Sequence, residues 1–169
     1  MPARKLLTAA AIAGLVAVPA VDAKTPPPQK KGATYAGLTS QGKTACRSGA
    51  SNEQPCAVTV QVSKDGNKVK KAKVLFTAAC DDNNVYQDST VVEHQKIVKG
   101  KYSVDGTYDE TLSDGTKLKN AVLTHGKFKH KGKKYSLAGD FQIVADVTYT
   151  NGTTTRCISG KVTFTAKAK

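Results

Sequence analysis

The chain has no tryptophan, one methionine and only 6% aromatic residues. Its apolar residues nowhere recur with a helical period. No ten-residue stretch is free of a turn breaker or a β-branched cluster, so the pattern excludes an α-rich fold. No segment reaches the roughly 20 consecutive apolar residues that a membrane-spanning helix needs. No Cys-x-x-Cys pair is present, which argues against a structural zinc site. No serine sits in a Gly-x-Ser-x-Gly elbow, and no nucleophile has a recognisable partner base. The scarcity of stacking aromatics argues against sequence-specific RNA binding, although Lys99-Gly100-Lys101-Tyr102 has the look of an RNA-binding strand.

What is present begins with an export signal. Arg4 and Lys5 precede a small apolar run over residues 6–18, and Val21-Asp22-Ala23 supplies small residues at a cleavage point. Residues 1–23 are therefore read as a signal peptide. Cleavage leaves about 146 of the 169 residues, enough for one domain with one core. It removes two basic residues and one acidic residue, taking the net charge from +13 to +12. That excess favours solubility and attraction to polyanions. Residues 24–32 (KTPPPQKKG) read as an extended proline- and lysine-rich linker. Residues 33–169 form the predicted domain, secreted or associated with the cell envelope. Four cysteines in an exported chain point to two disulfides, for which three pairings exist. Cys46 and Cys56 flank a polar loop and suit a local staple. Cys80 and Cys157 lie in or at the end of apolar runs and suit a buried bridge between strands.

The longest signal is a pair of β-runs over residues 135–166. Tyr135, Leu137, Gly139, Phe141, Ile143, Ala145, Val147 and Tyr149 share one parity, with polar residues on the other. Thr150-Asn151-Gly152 joins this run to the next as a hairpin, since Asn and Gly both tolerate φ > 0. A straight strand over residues 135–149 would extend about 50 Å, so a bend is expected near Gly139. In the last run Cys157 has the opposite parity to Val162, Phe164 and Ala166. A β-bulge at Ser159-Gly160 would turn all four inward. Further strands are expected over 33–40 (with Tyr35 and Leu38 in the core), 56–63, 68–80, 89–98, 101–110 and 118–128. The turns between them are marked by Lys64-Asp65-Gly66-Asn67, Lys99-Gly100, Asp114-Gly115 and His130-Lys131-Gly132-Lys133. About eight short strands with regular turns predict an all-β antiparallel sandwich or barrel, stapled by disulfides.

Several of these residues also carry a resemblance. Tyr35-Ala36-Gly37-Leu38-Thr39-Ser40-Gln41-Gly42, the strand ending at Cys80, Gly100-Lys101-Tyr102-Ser103, Gly139-x-Phe141 and the closing run from Cys157 to Ala166 occur in this order. Together they resemble a group of small exported all-β proteins of high-GC Gram-positive, actinobacterial, bacteria. That pattern has a Tyr-x-Gly-x-Thr-Ser-Gln-Gly opening, one mid-chain cysteine and one near the end. The resemblance covers roughly residues 33–166 and implies a β-rich export domain with a disulfide between two distant strands. It implies no activity. The additional pair Cys46 and Cys56 departs from it.

Candidate chemistry is sparse. His125 and His130 lie five apart, on opposite faces of a strand, and with His94 are read as exposed loop histidines. Asp81, Asp82, Asn83, Asn84 and Asp88 form an oxygen-rich stretch without the spacing of an EF-hand, so a solvated turn is expected there and not a metal site. Asp140 and Asp146 share the wet parity of one strand about 20 Å apart, too far for a carboxylate pair on a straight strand. No enzyme, metal or cofactor is therefore expected. The densest positive cluster is Lys127, Lys129, Lys131, Lys133 and Lys134 with His130. At a hairpin tip these would project together as an anion-binding patch for cell-wall or membrane polymers, or serve only as a solubilising turn. The leading expectation is a non-catalytic exported β-domain facing an anionic surface. The alternative is a barrel carrying a small apolar ligand among Phe141, Ile143 and Val147. A hydrolase would need clustered His and Asp in a cleft.

Overall fold

The computed structural model describes residues 27–42, 45–46 and 54–169. The expected signal peptide lies outside them. The described residues hold eleven strands in antiparallel pairs. These are β1 (Thr34–Thr39), β2 (Ala45–Cys46), β3 (Gln54–Pro55), β4 (Ala57–Val62), β5 (Lys68–Cys80) and β6 (Val85–Lys96), then β7 (Lys101–Thr111), β8 (Lys117–Lys131), β9 (Lys134–Thr148), β10 (Thr154–Ile158) and β11 (Val162–Ala168). The ladder runs β10-β5-β4-β1-β11-β9-β8-β7, with β10 also pairing β9 and β6 pairing β5. β10 thereby closes the sheet into a barrel. The choice between sandwich and barrel, open from the sequence, falls to the barrel. Beyond the closed ring, β6 extends from β5, and β8 and β7 extend from β9. These two flanks meet without a ladder, at a hydrogen bond of 2.8 Å between the Thr90 and Tyr108 hydroxyls.

The period-two pattern of β9 sets the core. Leu137, Phe141, Ile143, Ala145 and Val147 are buried, and β8 supplies Leu118, Val122 and Phe128 from the facing register. Aromatic rings fill the interior: Phe76 lies 5.4 Å from Phe141, and Tyr35 lies 5.1 Å edge-on from Phe128. Val58, Val60 and Val62 of β4 and Phe164 of β11 complete it. Each fully buried side chain of this size contributes about 1.5–3 kcal/mol of transfer free energy. One residue named from the sequence belongs elsewhere. Leu38 is 52% exposed. On β1 the inward parity is Tyr35, Gly37 and Thr39, because Gly37 faces Ala166 of β11 so closely that a Cβ would lie 1.9 Å from the Thr165 carbonyl oxygen.

The bulge is present where the parity switch required it. Ile158 pairs Val144, yet Val162 pairs Phe141, so the β10–β11 side carries one extra residue. Gly160 takes φ +64°, and the Ser159 hydroxyl accepts the Ile143 N–H at 3.0 Å. Thr155, Cys157, Val162, Phe164 and Ala166 all point inward as a result. Without the extra residue one half of this strand would turn its apolar side chains to water.

The hairpins share one device. Tyr149 N–H donates to the Thr153 carbonyl and Gly152 N–H to the Tyr149 carbonyl, while the Asn151 side chain accepts the Thr153 N–H. Only Gly152 has positive φ, so this is a three-residue loop with glycine in the left-handed region and not a two-residue Asn-Gly turn. Leu112–Thr116 repeats it, with Asp114 accepting from Thr116 N and Gly115 left-handed. Asp65 and Gly66 do the same between β4 and β5. Lys99-Gly100 is the two-residue turn expected, both residues at positive φ. The reversal after β5 is shorter than its composition implied. It takes only residues 81–84, Asn83 at φ 64°, and Val85 to Asp88 already belong to β6.

Both disulfides pair as read from the residues, Cys46–Cys56 and Cys80–Cys157. Cys80 and Cys157 stand directly opposite one another on β5 and β10, where the barrel closes on only two paired positions. Between that contact and the β4 ladder, the Gln41 side chain stands in for a strand. Its amide donates to the Thr77 carbonyl at 2.8 Å and accepts the Thr77 N–H at 3.0 Å. The Cys46–Cys56 bridge packs beside it, against Leu75.

Candidate functional site: a lysine-rich end and a basic groove

In an antiparallel barrel, alternate turns gather at one end. The turns at Lys64–Asn67, Val98–Lys101 and Lys131–Lys134 therefore share an end with the close of β11. Each brings lysines: Lys64 and Lys68, Lys99 and Lys101, Lys131, Lys133 and Lys134, then Lys167 and Lys169. The opposite end carries the turns after Cys80, Thr111 and Thr148. Asp81, Asp82, Asp109, Glu110, Asp114 and Asp146 lie there. Lys117, Lys119 and Arg156 also lie at that end and Asp65 at the lysine end, so the balance is positive at one end and negative at the other.

The five lysines singled out above lie on one hairpin, and other lysines share its end. Lys127, Lys129 and Lys131 point outward from β8, and Lys133 and Lys134 flank the tip of the same hairpin. Cross-strand register then aligns a row: Lys129 opposite Ser136, Ser136 opposite Lys167, Lys167 opposite Ala36, Ala36 opposite Thr59, Thr59 opposite Lys73. At about 4.8 Å per strand, Lys129 and Lys167 sit about 10 Å apart, and Lys167 and Lys73 about 14 Å apart along the sheet. His130 turns the other way and stacks on Tyr135, ring centroids 4.2 Å apart.

Beside this row lies a shallow groove of about 910 Å³. Lys96, Lys99, Lys101 and Lys127 edge it, with Gln95, His125 and Asp140. Its floor includes Gly126 and Gly139, which face each other across β8 and β9. Neither tolerates a side chain. A Cβ on Gly126 would lie 2.0 Å from the Tyr102 ring, and one on Gly139 would lie 2.0 Å from the His125 carbonyl oxygen and 2.5 Å from the Phe164 ring. Both glycines lack a side chain on the inner face, where the Tyr102 and Phe164 rings fill the space, while His125, Lys127, Ala138 and Asp140 face the groove. β9 was expected to bend near Gly139; it runs there as one continuous strand, in unbroken register with β8. One carboxylate lies in the groove. Asp140 is matched by His125, Nδ1 to Oδ1 2.9 Å, and by Lys161 at 3.8 Å. The groove offers an anion four ammonium groups around one carboxylate that is itself paired.

The other sequence candidates do not converge. All three histidines lie in strands, where pairing register and not loop flexibility sets their surroundings; the loop placement is corrected. Asp146 is held by Arg156, Nε to Oδ1 2.8 Å, and that guanidinium keeps its carboxyl below the usual carboxylate range. Asp82 accepts from Asn84 and from the Tyr149 hydroxyl, and these bonds likewise lower it. Among the described residues no group of three or more His, Cys, Asp or Glu is placed to hold a metal ion. Phe141 and Ile143 are buried within the packed middle of the barrel. Val147 alone of that trio lines a cavity, one of about 170 Å³ at the acidic end.

Lys96, Lys99 and Lys101 were missed as members of the cluster. The hairpin register held the signal: once Gly100 opens a turn, Lys101 falls opposite Lys127. No family model, no curated protein and no solved structure matches this chain. The geometry alone therefore defines the class: a disulfide-stapled antiparallel β-barrel with one strongly cationic end.

Proposed function

We propose that this chain is a non-catalytic exported β-domain that seats its lysine end on an anionic polymer of the cell envelope. The observation that carries this reading is the segregation of charge. Lysines far apart in sequence share one end and one outer row, with a groove edged by Lys96, Lys99, Lys101 and Lys127 running beside them. A row of ammonium groups at sheet spacing matches a polymer with repeating phosphates or carboxylates better than it matches a single small anion. Exposed ion pairs of this kind are worth little singly and are screened by salt, so the reading requires many contacts and strong salt dependence. The test is co-sedimentation with purified cell walls and retention on immobilised polyphosphate, at low and high salt. Lys127, Lys129 and Lys131 changed together to Gln lower the salt needed for release, whereas Lys117 and Lys119 changed to Gln leave it unmoved. Absence of binding at low salt, or equal effects from both ends, refutes the proposal.

A second reading, the barrel as carrier of a small ligand, draws support from the 170 Å³ cavity at the other end. The packed aromatic middle limits such a ligand to that mouth.

A further inference from the structure

The acidic end of the barrel is open where β6 and β7 fail to form a ladder. Inward-facing side chains line that seam. From β6 come Tyr86, Asp88 and Thr90, which alternate with outward neighbours against β5. From β7 come Tyr108 and Glu110, on the parity that continues from buried Tyr102. The Tyr86 hydroxyl donates to Asp88 at 2.6 Å, and Thr90 and Tyr108 join across the seam at 2.8 Å. Burial raises the Tyr86 phenol first, and the charges of both Asp88 and Glu110 raise it further, so the two carboxylates act on one spot.

A second feature of the same place is independent of the acids. Asn120 of β8 stands directly opposite Tyr108 of β7 and Ala145 of β9, and it is 2% exposed. Neither its Nδ2 nor its Oδ1 has a hydrogen-bond partner. A buried amide left unmade costs about 1–3 kcal/mol, and a chain keeps one where something else completes it. Two positions along the same face of β8, at Leu118, begins the cavity of about 170 Å³, lined also by Tyr86, Leu112, Asp114, Val147 and the Cys80–Cys157 bridge. Glu110 stands opposite the lining residue Leu118 and Asp88 two positions from the lining residue Tyr86, so each carboxylate lies one step from the chamber wall.

We infer that the β6–β7 seam is a binding site for a small organic ammonium compound. Its cationic nitrogen lies between Asp88 and Glu110 and its apolar substituent in the chamber, while the free amide of Asn120 hydrogen-bonds it. Two phenol rings favour an organic cation over a metal ion, because a ring face attracts an ammonium group. Two carboxylates are also short of the six to eight oxygen ligands that calcium takes. A cavity of about 150 Å³ is large enough for benzene, so the chamber here accepts about four to six carbons. This inference deepens the carrier reading and is independent of the lysine end.

The experiment uses the secreted protein and n-butylammonium chloride, followed by calorimetry and by NMR shifts of the Asn120 side-chain amide. Butanol and butyrate are the uncharged and anionic controls, and calcium chloride is the metal control. Butylammonium binds one to one and moves the Asn120 resonances. Glu110→Gln, an exposed position that leaves folding intact, weakens it at least tenfold, and Asn120→Ala weakens it further. Retention on polyphosphate is unchanged in both variants, which separates this site from the lysine end. Equal binding of butanol and butylammonium, binding of calcium alone, or no binding to the folded protein overturns the inference.

Discussion

Removal of the Cys80–Cys157 bridge is the sharpest probe of how this barrel is held shut. The two cysteines close a loop of 77 residues, against 10 for Cys46–Cys56. In the chain-entropy model these separations correspond to about 4.5 and about 2.7 kcal/mol. The location sharpens the contrast. β10 meets β5 at only two paired positions, Cys157 with Cys80 and Ile158 with Ala79, with one further hydrogen bond from the Asp81 N–H to the Arg156 carbonyl at 2.9 Å. The variants are Cys80→Ala with Cys157→Ala, and separately Cys46→Ala with Cys56→Ala. Alanine leaves no buried hydroxyl unpaired. Urea unfolding measures the free-energy difference, and calorimetry the midpoint. For a domain of this size about 4.5 kcal/mol lowers Tm by roughly 10–18 °C. Equal losses from the two pairs, or a loss below about 1 kcal/mol from the long one, would refute the view that this bridge completes the closure.

Other expectations follow from single positions. Gly139→Ala drives a methyl into the His125 carbonyl and the Phe164 ring and costs about 1–3 kcal/mol by overpacking, whereas Gly106→Ala meets open space and is nearly neutral in the same melt. Gly152→Ala, at φ +81°, costs about 1 kcal/mol although nothing lies near its Cβ, because the strain is in the backbone. Asn120→Leu removes the unpartnered amide and raises the denaturation midpoint while ending butylammonium binding; a lower midpoint would show the amide satisfied within the fold. The pH dependence is one-sided. Asp65, Asp82, Asp114 and Asp146 are all held below the ordinary carboxylate value, chiefly by hydrogen bonds from Ser63, Asn84, Thr116 and Arg156 respectively. Groups lowered in the folded state contribute stability that is present above about pH 4 and is lost as pH falls through their folded values. Midpoints measured from neutral to acid pH are therefore flat until about pH 4 and fall below it; a fall already under way near pH 6 would refute this account.

Local chemistry made much of the barrel legible. The alternation in β9 told which face was buried, because a strand's side chains take opposite sides with a period of two. The parity switch after Cys157 required one extra residue, and Ser159-Gly160 provides it. Both disulfides followed from where the cysteines sit relative to apolar runs. The same reasoning misplaced Leu38, since an apolar residue near a strand end carries no sign of which parity its neighbours impose. It also ended the loop after Cys80 too late, since Asp88 looks like loop by composition yet serves an inward-facing seam.

By itself, then, the order of residues determined strands, turns, the bulge and the crosslinks, all of which depend on neighbours within a few positions or on cysteine chemistry. Only the closed sheet decided that lysines from four separate segments share one end, that Lys101 meets Lys127, and that Gly126 and Gly139 face each other. Only it decided that Asn120 is buried beside Tyr108 with its amide unused. These relations depend on which strands become neighbours and in what register. That is a property of the whole hydrogen-bonded circuit, and no single stretch of the chain carries it.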